Sequence, residues 1–263
     1  MPADTPSTTL TVERDGSIAT VTLSRPSSRN ALNAELRRAI RSEMGALNDD
    51  DSVVVVVLTG ADPAFCAGLD LKELGASSES VSGRDGLEFS GGARPFTKMS
   101  KPVIGAINGV AITGGFELAL ACDFLIASEE ARFADTHARV GIQPGWGLTV
   151  ELPRAVGLRR AKELSSTGNF LDARDALAWG LVNHVVPHTE LMMHAMKLAA
   201  DVASNDAAGV RQILRTYDEG ADLTGAAALE LEGRVSAEWI TSVSGDDVEA
   251  RRRAVTERGR NQI

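Results

Sequence analysis

A glycine pair followed closely by a glutamate is the feature of this chain best suited to chemistry. Gly114 and Gly115 follow the extended apolar run 103–107, and the apolar spacing after them is typical of a buried helix. A helix that begins at the glycines directs unpaired backbone N–H groups, and the positive end of its dipole, into the adjacent cleft. Glu117 lies three residues beyond Gly114, near the same helical face. The segment predicts acid/base chemistry beside a polarised carbonyl group.

The same residues also have a purely structural interpretation. Glycine pairs allow a helix to pack closely on a strand, and a glutamate near a helix start is often an ordinary surface residue. The spacing of Gly114 and Glu117 is compatible with both interpretations. The choice between them therefore depends on other segments of the chain.

Five segments of the chain resemble the enoyl-CoA hydratase/isomerase family, whose members are also called crotonases. Residues 62–74 read DPAFCAGLDLKEL and residues 107–123 read INGVAITGGFELALACD. Segments 24–33, 133–147 and 167–182 are similar to three further family patterns, in the expected order. Several ordered matches at the right separations are far more specific than a lone glycine motif, so the chain is identified as a member of this family. The resemblance covers most of the chain.

The resemblance implies a set of catalytic groups. In the family, two backbone N–H groups bind the thioester oxygen and a glutamate transfers protons. Carried over by position, the oxyanion-hole donors are Ala67 and Gly114, and the first catalytic carboxylate is Glu117. Thr113 stands where many relatives have the motif's first glycine, which leaves the donor itself unchanged. The implied partner is an acyl-CoA thioester, and no separate cofactor is expected because coenzyme A is part of the substrate.

The resemblance also implies residues that contact the substrate. Arg25, Arg29 and Lys72 are candidates for the CoA phosphates, although Arg and Lys are usually solvated surface charges. Trp146 stands where relatives usually carry something small, so its indole either shapes the acyl pocket or packs in the core or at a subunit contact. The full set of expected substrate-binding residues is Arg25, Arg29, Ala31, Asp70, Leu71, Lys72, Gly145 and Trp146.

Segment 133–147 departs from the family pattern at its second acid/base position. Hydratases of the family carry a glutamate there, whereas this chain has His137. Hydration needs one group that takes a proton from water and another that delivers a proton to the α-carbon. His137 can titrate near neutral pH, and a neighbouring Glu117 would favour its charged form. Alternatively, His137 hydrogen-bonds Asp135 or a backbone group and transfers no proton.

These observations predict an acyl-CoA-processing enzyme of the enoyl-CoA hydratase type. It would stabilise a thioester enolate with an oxyanion hole and use Glu117 for proton transfer, with His137 as the second catalytic residue. Two alternatives stay open. One is an enoyl-CoA isomerase that moves a proton with a single carboxylate. The other is a CoA-thioester-binding homologue with little hydratase activity, because the second glutamate is replaced by histidine.

The expected fold is α/β. Strands and helices alternate along the first part of the chain, which indicates repeated strand-strand-helix units, and the resemblance names this arrangement a crotonase-type spiral. We assign residues 1–190 to the spiral core with the CoA and acyl site, and residues 191–263 to a helical trimerisation region. By resemblance, the protein is a homotrimer or a hexamer formed by two trimers. Residues 75–92, rich in Ser and Gly, form either a flap over the acyl pocket or a plain surface loop.

Composition excludes several other function classes. The chain of 263 residues has a formal net charge of −9, which disfavours a nucleic-acid-binding surface. Its two cysteines and four histidines show no metal-ligand spacing, so no metal is expected. No apolar run is long enough to span a bilayer, and the polar N-terminus has no basic leader. We therefore predict a cytoplasmic protein with no nucleic-acid or membrane partner.

Overall fold

The computed structural model describes residues 9–76 and 94–262 of the chain. Most of the segment for which a flap or a loop was predicted, residues 77–92, lies outside the described residues, as does most of the polar N-terminus. The chain divides after Val210 into two compact units. The two sheets and the candidate site described below belong to the first of these units.

A six-stranded sheet forms one layer of the first unit. It begins with an antiparallel hairpin that turns at Asp15 and Gly16, and its other strands run parallel. The strand order is β1-β2-β3-β5-β7-β10. The strands are β1 (Leu10–Asp15), β2 (Ile18–Leu23), β3 (Val55–Gly60), β5 (Val103–Ile107), β7 (Phe124–Ser128) and β10 (His184–Val186).

A second sheet has four strands. Three of them, β4, β6 and β8, each follow a strand of the six-stranded sheet in the chain. Its order is β4-β6-β8-β9, and only the β8-β9 pair is antiparallel. The strands are β4 (Ala64–Cys66), β6 (Val110–Ile112), β8 (Arg132–Ala134) and β9 (Leu171–Asp172). Each strand is two or three residues long, so the sheet serves mainly to turn the chain toward the helices that follow it.

Three consecutive strand-strand-helix units build the spiral. Each unit contributes its first strand to the six-stranded sheet, its second strand to the four-stranded sheet, and then begins a short helix. These helices are α2 (Leu71–Ala76), α3 (Gly114–Leu120) and α4 (His137–Val140). The predicted α/β class and the repeated strand-strand-helix pattern are confirmed. Because successive strands in both sheets are neighbours, the starts of the three helices lie at the same end of the molecule.

Side-chain caps mark the starts of several of the remaining helices. Asn33 caps the first helix through its side chain, and the apolar face of this helix is buried. Asp172 likewise caps the helix that ends at Gly180, which adopts the left-handed conformation. The bounds are α1 (Ala34–Asp49), α5 (Leu148–Val156), α6 (Leu158–Thr167), α7 (Ala173–Trp179), α8 (Leu191–Ala203), α9 (Ala207–Gly220), α10 (Gly225–Ile240) and α11 (Gly245–Gln262).

The central strands β3 and β5 of the six-stranded sheet are buried on both faces. Along β3, Val55 and Val57 face one apolar cluster, and Val56 and Leu58 face the other. Residues of α8, including Leu191, belong to the first of these clusters. A strand that is buried on both faces has apolar residues at every position. This explains the sequence VVVVV at residues 53–57.

Helix α8 packs against β3, β5 and β7, and it therefore belongs to the first compact unit although it follows residue 190. The second unit begins at Arg211 and consists of helices in its described residues. The trimerisation role assigned to residues 191–263 stays a prediction. Within the described part of the chain, none of the helices combines the length and the apolar character that a membrane crossing requires.

Candidate active site

The start of α3 packs closely against β4, the second strand of the preceding strand-strand-helix repeat. A Cβ added to Gly115 would overlap the carbonyl oxygen of Cys66 in β4, so only glycine permits this approach. Thr113, the residue before the helix, has a φ of 53°, a conformation that costs energy for any residue except glycine. Its hydroxyl lies 2.6 Å from that of Thr136. The sequence departure at Thr113 is therefore compensated by a side-chain hydrogen bond.

Two backbone amides open toward the same space beside this helix start. Gly68 has a φ of 89°, and a Cβ added to it would lie 3.5 Å from the amide nitrogen of Gly114. The turn at Gly68 brings the next amide, that of Leu69, beside the start of α3. Among the described residues, we find no acceptor for the N–H groups of Leu69 or Gly114. Both are available to a ligand oxygen.

The structure replaces one of the two predicted donors. The Ala67 N–H group donates a hydrogen bond to the carbonyl oxygen of Arg29, with a nitrogen-to-oxygen distance of 3.0 Å. An amide that is already paired in this way is not free to bind a thioester oxygen. Leu69, two residues further along, takes the place of Ala67 as the candidate donor, whereas Gly114 is retained.

Glu117 is buried and anchored by one of its two oxygens. Its Oε1 accepts hydrogen bonds from the backbone N–H groups of Gly145, at 3.2 Å, and Trp146, at 2.8 Å. The side chain is only 3% exposed, so it is not the ordinary surface residue of the alternative interpretation. Because Oε1 is occupied, Oε2 is the oxygen left for proton transfer. Gly145 and Trp146, predicted to contact substrate, thus hold the carboxylate through their main chain.

His137 faces the free oxygen of Glu117. It is the first residue of α4 and is 4% exposed. Its Nε2 lies 3.6 Å from Glu117 Oε2, an ion-pair distance slightly longer than a hydrogen bond. On the other side of the ring, Nδ1 lies 2.6 Å from Asp135 Oδ1, which also accepts the backbone N–H of His137 at 3.2 Å. The three side chains form one buried cluster.

The electrostatic balance of this cluster favours a charged imidazole. Burial by itself lowers the pKa of His137, but the hydrogen bond to Asp135 and the charge of Glu117 outweigh it and raise the pKa to about 9. Burial by itself raises the pKa of Asp135, yet hydrogen bonds from His137 and Ser165 hold that pKa below its usual value. The surroundings of the imidazole therefore favour its protonated form at neutral pH.

Several predicted CoA-binding residues bind one another. The guanidinium of Arg25 lies 3.0 Å from Asp70 Oδ2 and also donates a hydrogen bond to the carbonyl oxygen of Ala31. These three residues therefore fix the two segments that flank the site. Arg29 and Lys72 are exposed and keep their prediction as phosphate ligands. Leu71 is also exposed, at the start of α2.

Trp146 is a buried part of the main apolar core, at the edge of the site. Its Cζ3 atom would lie 3.5 Å from a Cβ added to Gly114, beside the side chain of Leu32. Trp146 therefore packs in the core, which is one of the two interpretations offered by the sequence. Its indole also borders the space next to Gly114. Sequence reasoning missed Ser165 and Thr136, since polar residues of this kind are common and no local motif marks them.

A second group of polar residues lies at the carboxyl end of the six-stranded sheet. His188 Nε2 lies 3.3 Å from Asp62 Oδ2, and His188 Nδ1 lies 3.0 Å from Ser128 Oγ. Asn108 donates a hydrogen bond to the other oxygen of Asp62 at 2.8 Å. A cavity of about 510 Å³ adjoins this edge cluster. Among the described residues, no three His, Cys, Asp or Glu side chains are arranged to hold a metal ion.

Open amides at a helix start, with a buried carboxylate-imidazole pair beside them, define a site able to bind a developing oxyanion while protons move. A model of the family described as enoyl-CoA hydratase/isomerase matches residues 13–258. The chain belongs to this family, as the sequence resemblance predicted.

Individual relatives agree with this assignment. A probable enoyl-CoA hydratase 1, peroxisomal, of Arabidopsis thaliana is 40% identical over 228 residues, which are 84% of this chain and 82% of the relative. A short-chain-enoyl-CoA hydratase of Clostridium acetobutylicum is 38% identical over 225 residues, 84% of this chain and 86% of the relative. The crystal structure of enoyl-CoA hydratase from Mycobacterium tuberculosis H37Rv has a TM-score of 0.74 and 47% identity, covering 89% of this chain and 99% of that one.

Proposed function

We propose that the protein is an enoyl-CoA hydratase, which adds water across the double bond of a 2-enoyl-CoA thioester. The observation that carries this proposal is the pair of facing groups, Glu117 Oε2 and His137 Nε2, 3.6 Å apart and buried beside open amides. Hydration requires one proton acceptor and one proton donor in the same site, and these groups supply both. Coenzyme A enters as part of the substrate, so we propose no further cofactor.

The oxyanion hole consists of the amides of Leu69 and Gly114. Preorganised N–H donors stabilise the negative charge that develops on the thioester oxygen when an enolate forms. The positive end of the α3 dipole adds to this effect because the Gly114 amide lies at the helix start. We propose that both N–H groups donate to that one oxygen.

The proton transfers balance within the site. Glu117 Oε2 takes one proton from water as the water oxygen bonds to the β-carbon, and the electrons of the double bond move to the thioester oxygen. His137 then gives its Nε2 proton to the α-carbon. Glu117 returns its new proton to Nε2, which restores the starting charges. The net change is the addition of one water molecule.

The two alternatives fit the site less well. A single-carboxylate isomerase needs no second acid/base group, yet His137 faces Glu117 and is oriented by the hydrogen bond that its Nδ1–H donates to Asp135. Burying three ionisable side chains costs folding free energy, because charged groups lose their hydration. Binding of a CoA thioester alone does not require these side chains. The cluster therefore favours proton transfer to the substrate.

The proposal extends to assembly and location. The family resemblance supports a homotrimer or a hexamer of two trimers, formed through residues 191–263, and we assign the protein to the cytoplasm. Sedimentation of the purified chain tests the first point, and a mass corresponding to a monomer at micromolar concentration would contradict it.

The function is tested by following loss of the conjugated enoyl thioester with short, long and aromatic enoyl-CoAs. The variant Glu117→Gln keeps the size of the side chain but cannot take a proton, so we expect kcat to fall by roughly 10²–10⁴-fold. Glu13→Gln, an exposed residue of β1, is the matched control and should keep full activity. Retained hydration in Glu117→Gln would refute the assigned role, and no turnover of any enoyl-CoA by the unmodified protein would refute the function.

A further inference from the structure

We propose that Asp135 is a positioning residue that holds His137 as a cationic proton donor, so that the two residues together replace a single carboxylic acid. The kinetic part of this inference rests on the proposed function, whereas the charge state of His137 does not. Asp135 itself does not reach the reacting atoms, because the imidazole stands between it and Glu117.

The geometry determines which ring nitrogen faces the substrate. Asp135 Oδ1 receives the Nδ1–H group at 2.6 Å and the backbone N–H of the same histidine at 3.2 Å. One carboxylate oxygen therefore fixes both the main chain and the ring of His137. With Nδ1 occupied in this way, Nε2 is the nitrogen left to face Glu117.

The carboxylate of Asp135 is itself held in place from another element. Ser165, on α6, donates a side-chain hydrogen bond to it. Asp135 is also almost completely buried, so water does not compete for these contacts. A carboxylate fixed by two neighbours keeps the imidazole in one orientation, which is the role that such carboxylates have beside other catalytic histidines.

The charges around the ring favour its cationic form. In the described residues, the charged groups that contact the imidazole are Asp135, which precedes α4, and Glu117, on α3. The nearby cation Arg139 is directed elsewhere, since it donates hydrogen bonds to the carbonyl oxygen of Thr167 and to Asn169. A neutral His137 would leave two buried carboxylates without an adjacent positive charge. A protonated His137 compensates one of them, leaving a net charge of one negative unit.

The first test measures the histidine directly, in the unmodified protein and without substrate. Nitrogen NMR of His137, assigned with the His137→Gln variant, should show both ring nitrogens protonated at about pH 7.5 and a titration near pH 9. A His137 that is neutral at that pH, or that titrates at or below the ordinary histidine value, overturns the proposal. This outcome does not depend on whether any enoyl-CoA is turned over.

The second test removes the negative charge and keeps the shape. In Asp135→Asn the titration of His137 should fall by at least about one pH unit, and the alkaline limb of kcat should move down with it. At about pH 8.5 we expect kcat to be lower by ~3-fold or more, with KM little changed, because Asp135 does not contact the substrate. The loss should become smaller toward about pH 6.

A matched control separates positioning from folding. Asp172→Asn makes the same chemical change at a helix cap, where the carboxylate accepts the N–H of Asp175 at 2.9 Å and does not contact His137. It should leave the alkaline limb unchanged. Equal loss of activity at all pH values in Asp135→Asn, with an unmoved limb, would show that Asp135 is merely structural and would refute the proposal.

A third test asks whether Asp135 acts through the histidine. In a His137→Gln background, Asp135→Asn should change kcat by less than ~3-fold, because the group it positions is already absent. A large additional loss there would contradict the proposal. If instead the proposed function fails, no variant shows hydration, but the NMR titrations of the unmodified protein and of Asp135→Asn still decide the charge relation between the two residues.

Discussion

Two histidine-aspartate clusters in this protein differ in what surrounds them. In the buried cluster, His137 is 4% exposed, and its Nδ1 lies 2.6 Å from Asp135. In the edge cluster, the side chain of His188 is 26% exposed and lies 3.3 Å from Asp62, whose side chain is 64% exposed. The residue types are the same. Water screens the interaction within the second pair, whereas the first pair is almost completely surrounded by protein.

The edge cluster also shows why residue types alone do not define a catalytic triad. Ser128, His188 and Asp62 contain the three residue types of a serine hydrolase, within hydrogen-bonding range of one another. The Ser128 hydroxyl, however, is fully buried and accepts the backbone N–H of Glu130 at 3.0 Å. It closes the turn after β7 and has no path to a substrate carbonyl. The comparison indicates that a catalytic cluster is recognised by two properties at once, the burial of its acid/base pair and its access to a substrate.

The sharpest way to break this comparison is to make the same substitution in both clusters. His137→Gln removes the proposed proton donor, and we expect kcat for enoyl-CoA hydration to fall by roughly 10²–10⁴-fold. His188→Gln should leave kcat within ~3-fold of the original, because the edge cluster takes no part in the proposed reaction. Steady-state kinetics of both variants provide the measurement. Equal losses in the two variants would show that the buried cluster has no special role.

The pH dependence of stability gives the next largest expected effect. Folding raises the pKa of His137 from 6.5 to about 9, so the stabilisation is complete below about pH 6.5 and is lost as the pH rises through 9. The shift corresponds to ~3 kcal/mol of unfolding free energy. Denaturant unfolding between about pH 6.5 and 10 should show this decline in the unmodified protein and not in His137→Gln. The buried thiols of Cys66 and Cys122, whose pKa values are raised by burial, are common to both proteins, so the difference between them isolates the histidine. A parallel pH dependence in the two proteins would contradict the raised pKa.

The smallest expected effect concerns the edge cluster alone. Ser128→Ala removes the hydroxyl that contacts His188 and the backbone of Glu130, and it should lower the unfolding free energy by ~1 kcal/mol. Enoyl-CoA hydration should be unaffected. Thermal unfolding and the kinetic assay check the two halves of this expectation, and a kcat loss of more than ~10-fold would connect the edge cluster to catalysis.

The parts of the site that depend on local sequence could be predicted. The start of α3 follows from the glycine pair and the apolar spacing, and Glu117 follows from its place three residues later. On the preceding loop the Ala67 N–H group is paired and the open amide is that of Leu69, because the direction of an amide depends on the positive φ of Gly68 and not on residue type. The sequence also left open whether Asp135 and His137 meet. They do so because α4 begins between them and turns the chain back on itself.

Contacts between distant segments could not be predicted in the same way. Arg25 was expected to bind a CoA phosphate, yet it pairs with Asp70, 45 residues away. His188 and Asp62 are 126 residues apart and meet only because the ends of parallel strands share one edge of the sheet. Pairings of this kind depend on the completed sheet, so a pattern in a short window of sequence contains no information about them.

The hydrogen bond from Asn108 to Asp62 has a consequence for specificity within this scaffold. It joins the ends of β3 and β5, from which the chain runs on to Leu69 and to Gly114. A Cβ on Gly109 would collide with the backbone of Pro63. The segment that joins β3 to β4 and the segment that joins β5 to β6 are therefore in direct backbone contact. The two chain segments that lead to these amides therefore lie side by side, as neighbouring strands do. Under the proposed function, substitutions that change the size of the acyl pocket can accumulate without moving the two amides that bind the thioester oxygen.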